Sequence, residues 1–70
     1  MANVRTLSSS GANQAAQENG YDDEHDMKNS WQCGKSEYNI AVDIDTNEVV
    51  FTSVKGDKPN VSTGMKTTAR

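Results

Sequence analysis

The chain has 70 residues, a formal net charge of -3 and a hydrophobic share of 33%, which bounds it to one small domain. Ile, Leu, Val and Phe together number ten, below the level of about 20% under which disorder becomes a serious expectation, so part of the chain is expected to lack a core of its own. No stretch approaches the roughly 20 apolar residues of a membrane span, and the lone cysteine, Cys33, excludes an internal disulfide.

The opening Met1 to Thr6 has no apolar h-region, and with a single cysteine the chain reads as a soluble cytoplasmic protein of a reducing compartment. Residues 1–30 read as a flexible arm, polar at first and then acidic. Within it, Ser10 is suited to cap a short helix over Gly11 to Glu18, with Asn19-Gly20 as its stop. Such a helix is shorter than the roughly 12–15 residues at which an isolated helix becomes marginal, so it needs a tertiary contact.

Asp22, Asp23, Glu24 and Asp26 crowd around His25. Acidic residues suit a helix N-terminus, which allows one helical turn over Asp22 to Lys28. The spacing of Tyr21, Met27 and Trp31 fits neither a helical stripe nor strict alternation. The favoured reading is a loop over Gln32 to Ser36 that feeds a hairpin, with Trp31 folding back over one sheet face.

Residues 31–63 are expected to hold a small β core. Tyr38, Ile40, Val42 and Ile44 alternate with Asn39, Ala41 and Asp43, the period of two that separates a buried face from a wet one. A turn at Asp45 to Glu48 then returns the chain through Val49-Val50-Phe51 to Val54. With Thr46-Asn47 as the tip, Ile44 faces Val49 and Val42 faces Phe51. A tip one residue longer sets Ile44 opposite Val50 and turns the second strand over. Phe51 favours the first register. Two strands alone are marginal in water, and a third over Val61 to Thr63 is left open. Residues 64–70 read as a basic flexible tail. The expected fold class is therefore mainly β: a small antiparallel hairpin or three-stranded meander behind a flexible, partly helical N-terminal arm.

Motifs that carry chemistry are incomplete. Gly34-Lys35-Ser36 ends like a phosphate-binding loop, but Asn29 stands where the first glycine belongs. Asp43, Asp45 and Asn47 match the first ligands of an EF-hand, whereas Glu48 and Val54 occupy its glycine and closing-glutamate positions. His25, Cys33 and the acidic cluster fall short of the four set ligands of a structural zinc site. A Cys33–His25 nucleophile pair lacks a rigid surround, and so small a core is not expected to enclose a pocket of about 300 Å³ or more. Asn60-Val61-Ser62 is a sequon of consequence only in a secreted chain. No catalytic residue, cofactor or metal is assigned.

Binding is the expected function. The leading expectation is a small acidic protein-binding accessory, an adaptor or inhibitor, that meets another protein through a β edge or the apolar hairpin face. Its candidate contact residues are Trp31, Tyr38, Val42, Ile44, Val49 and Phe51, since aromatic anchors dominate such interfaces, together with Asp22, Asp23, Glu24 and Asp26 for a basic groove. The same apolar residues serve equally as the private core of a monomer. A structural component of a larger assembly is the alternative, and self-association is compatible with both. A nucleic-acid-associated regulator using Lys55, Lys58, Lys66 and Arg70 comes third, because the chain is acidic overall.

Overall fold

The computed structural model describes residues 3–31, 38–53 and 60–70. Six elements follow one another: β1 (Val4–Thr6), α1 (Ser9–Glu18), α2 (Glu24–Trp31), β2 (Tyr38–Asp43), β3 (Glu48–Ser53) and β4 (Val61–Lys66). The four strands form one antiparallel sheet in the order β1-β2-β3-β4. The fold is thus mainly β, with a meander over β2 to β4.

Where a flexible arm is expected, residues 4–31 instead supply an edge strand and both helices. The reason lies in small side chains at helical spacing. Ala12, Ala15 and Ala16 are at most 2% exposed and join Leu7 and Met27 against the sheet residues Tyr38, Ile40, Val42, Val49 and Phe51. Alanine carries the best helix propensity, and its methyl lets a helix lie close to a sheet. This packing supplies the tertiary contact that so short a helix needs.

Local chemistry sets the ends of α1. Ser8, rather than Ser10, is the N-cap, and its hydroxyl accepts from Gly11 N–H at 3.2 Å. At the other end Gly20 takes φ 89°. Gly20 N–H donates to Gln17 C=O and Tyr21 N–H to Ala16 C=O, a Schellman closure that satisfies the last carbonyls. Asp23 then caps α2 by accepting from Asp26 N–H at 2.9 Å, while Asp26 accepts from Asp22 N–H at 3.0 Å. Glu24 N–H donates to Asn13 Oδ1 and ties the two helices together.

The hairpin register differs from both expected ones. Val42 pairs with Val49, Ile40 with Phe51 and Tyr38 with Ser53, and Ile44 leaves the strand for the turn. The cause is Asp43, whose Oδ1 accepts from Asp45 N–H at 2.9 Å and Thr46 N–H at 3.3 Å, so the turn starts earlier than alternation implies. The shift is two residues from the favoured register, so Ile40, Val42, Val49 and Phe51 still share the buried face. The expected loop over Gln32 to Ser36 lies outside the described residues. Trp31 does fold back: its ring meets that of Phe51 edge-on, at 6.2 Å between centroids and 82° between planes.

The strand over Val61 forms and extends to Lys66. It contains a bulge at Gly64, φ 74°, where the register against β3 shifts. Thr63 fills the bulge by donating its hydroxyl to Val49 C=O at 2.7 Å. Residues 64–70, expected as a flexible tail, are ordered instead: 64–66 complete β4 and 67–70 fold back, with Ala69 2% exposed within the core.

Candidate functional site

Topology brings the end of α1 beside the β2–β3 turn. β2 runs to the turn that begins at Ile44, while α1 runs antiparallel to β1 and ends near that turn: Asn19 Nδ2 donates to Lys66 C=O at 3.0 Å, and Lys66 Nζ donates to Thr46 C=O at 3.0 Å. The short link from α1 to α2 starts at the same end. Glu18, Asp43, Asp45 and Glu48 therefore sit on the turn end of the sheet, with Lys66 as the cation hydrogen-bonded to the turn, while Asp22 follows the end of α1 beside Gln17 and Glu24 lies back against Asn13 in the middle of that helix.

These carboxylates are not equivalent. Asp23, Asp26 and Asp43 accept backbone N–H groups and shape their own turns. Glu48 accepts from the Ser62 hydroxyl. Glu18 holds the C-terminal segment: its carboxylate accepts from the Thr67 hydroxyl, the Thr68 hydroxyl and Thr68 N–H. Those bonds, led by that from Thr67, hold the Glu18 carboxyl below its ordinary value of 4.5. Asp22 and Asp45 contribute backbone N–H groups to these turns and present exposed side chains to solvent.

Ile44 lies within this acidic end at 41% exposure, the large hydrophobic residue that stays exposed among those described. Its N–H donates to Asn3 C=O at 3.0 Å, which fixes its backbone beside β1. The other apolar candidates are placed differently. Val42, Val49 and Phe51 are 0% exposed and Tyr38 is 8% exposed, all within the core cluster, and Trp31 is half-buried against Phe51. The private-core alternative describes them.

A cleft of about 340 Å³ opens between Glu18, Thr46, Asn47, Lys66, Thr67 and Thr68, where the sequence led to no pocket of that size. It arises because the returning C-terminal segment leaves a gap beside the turn, and the threonine methyls and the Lys66 and Glu18 stems line it along with their polar groups. His25 is exposed on α2. Among the described residues no three of His, Cys, Asp and Glu converge on a point able to hold a metal ion, and Cys33 lies outside them. No helix among the described residues is long and apolar enough to cross a membrane.

The sequence singled out Ile44 and the acidic residues at 22–26, but it did not join them. What it missed was that Glu18 joins Asp43, Asp45 and Glu48 at the end of the sheet that carries Ile44. The readable signal was the turn-forming acidic run at Asp43 to Glu48; its proximity to α1 depends on contacts between distant segments. Comparison with known protein families, curated proteins and solved structures gives no match to this chain.

Proposed function

We propose that this chain is a non-enzymatic protein-binding accessory that docks its acidic turn end onto a basic surface of another protein. The observation that carries this reading is Ile44, left 41% exposed between Asp43 and Asp45 while the other large aliphatic residues of the hairpin among those described, Ile40, Val42, Val49 and Val50, are buried. An apolar centre within a charged rim is the anatomy of a specific interface. The rim speeds encounter with a cationic partner and selects against acidic ones, and the apolar centre supplies desolvation. Asp22 and Asp45 are the carboxylates to engage such a partner, because their side chains face solvent while the capping carboxylates are already occupied.

The test is capture from a native lysate, with each retained protein quantified for the wild type, Ile44→Asp, and the double reversal Asp22→Lys with Asp45→Lys. The reading predicts a partner retained by the wild type and by an Asn60→Lys control, lost with either surface variant, and released as salt rises. Retention of every partner by both surface variants contradicts it.

A further inference from the structure

We propose that the outer edge of β1 is a strand-addition site for an extended segment of another protein that sets a carboxylate opposite Arg5. Leu7 N–H donates to Ile40 C=O at 2.9 Å, and Ile44 N–H donates to Asn3 C=O at 3.0 Å. With Arg5 paired to Val42, antiparallel geometry turns the backbone groups of Asn3, Arg5 and Leu7 toward β2. It turns the N–H and C=O of Val4 and Thr6 outward. Among the described residues the sheet ends at β1, so these four groups form a ladder edge ready to pair.

The two edges of the sheet are unlike. β4 carries the devices that blunt an edge: the bulge at Gly64, the shifted register and a terminal lysine, Lys66. β1 has a continuous register and neither proline nor glycine. Its one charge is Arg5, which is exposed.

Arg5 also determines which occupant fits. If two copies joined through this edge, antiparallel pairing of Val4 with Thr6 across a two-fold axis would set the two Arg5 side chains directly opposite one another. Like charges at that position oppose pairing, whereas an opposite charge favours it. The side chains of Val4 and Thr6 lie on the sheet face away from the helices, beside Asp43 and Ala41, so the incoming strand meets β-branched neighbours that suit valine or threonine. This edge begins beside Asp43 and Ile44 but does not use the side chains of Asp22 or Asp45.

The probe is a short blocked peptide that alternates valine and threonine around a central glutamate, compared with its lysine-centred counterpart. Both are titrated into isotope-labelled protein. The glutamate peptide is expected to slow amide exchange at Val4 and Thr6 and to bind roughly three- to tenfold more tightly than the lysine peptide, two cross-strand charge contributions apart. Arg5→Glu, checked for folding by circular dichroism, should reverse that preference. Equal affinity for the two peptides would overturn the proposal, as would unchanged exchange at Val4 and Thr6 up to the solubility limit. A concentration-dependent dimer that protects Val4 would overturn it in favour of a second copy.

Discussion

The Glu18 carboxylate accepts the Thr67 hydroxyl at 2.5 Å across a separation of 49 residues. Together with its bonds to Thr68, this contact fastens the end of the chain to the last turn of α1 and leads Ala69 into the core. Because these bonds favour the charged form, the folded-state pKa of Glu18 is lowered from 4.5. Its contribution is fully present above the unfolded value and is lost as pH falls through the folded one. The stability difference between wild type and Glu18→Gln, from thermal melts across a pH series, should therefore be constant above that value and shrink as acid is added. A difference independent of pH would show that the charge plays no part in the contact.

Phe51 ties both layers together, being wholly buried and in edge contact with Trp31. Phe51→Ala should cost about 3–5 kcal/mol. A domain this small rarely holds more than about 3–5 kcal/mol in total, so the variant should be largely unfolded by circular dichroism, with Trp31 fluorescence shifted to the red. Ile44→Ala, at an exposed turn position, should leave the melting curve nearly unchanged. A folded Phe51→Ala protein would mean that the helices do not depend on this contact.

The two ends of α1 give a graded test of local chemistry. Ser8→Ala removes the acceptor for Gly11 N–H and should cost about 0.5–2 kcal/mol. Gly20→Ala forces a side chain into φ 89°, which should cost about 1–2 kcal/mol. No neighbouring atom lies within 4 Å of the added Cβ, so strain rather than collision is the cause. Denaturant unfolding of both variants reads these losses. A neutral Gly20→Ala would show that the chain does not reverse at this residue as described.

The parts of the fold legible in the sequence are those set by local pattern. Alternation in Tyr38 to Val42 and around Phe51 marks the hairpin, and Asn19-Gly20 marks the stop of α1. β1 was not legible because three residues are too short for a period to register, and its pairing with β2 is between distant segments. Ile44 fits the alternation yet lies in the turn, because the Asp43 carboxylate binds Asp45 and Thr46 N–H groups before the pattern ends. The C-terminal segment read as a tail because its anchors, Glu18 and the core around Ala69, become neighbours only after folding. For the candidate site, the sequence marked the acidic cluster and Ile44 separately, and it was the antiparallel return of α1 that brought Glu18 beside the turn that carries Ile44.

The most direct test of the account is amide hydrogen exchange on the isolated protein. If the apolar residues form a closed core and binding is left to the surface, Ala15 and Ala16 in α1 should be protected along with Val42 and Val49, opening as one cooperative unit. Protection confined to residues 38–53, with 9–18 exchanging freely, would contradict the account by restoring an arm beside an uncovered hairpin. Free exchange throughout would contradict it in the other direction, as the mark of a chain that folds only on assembly.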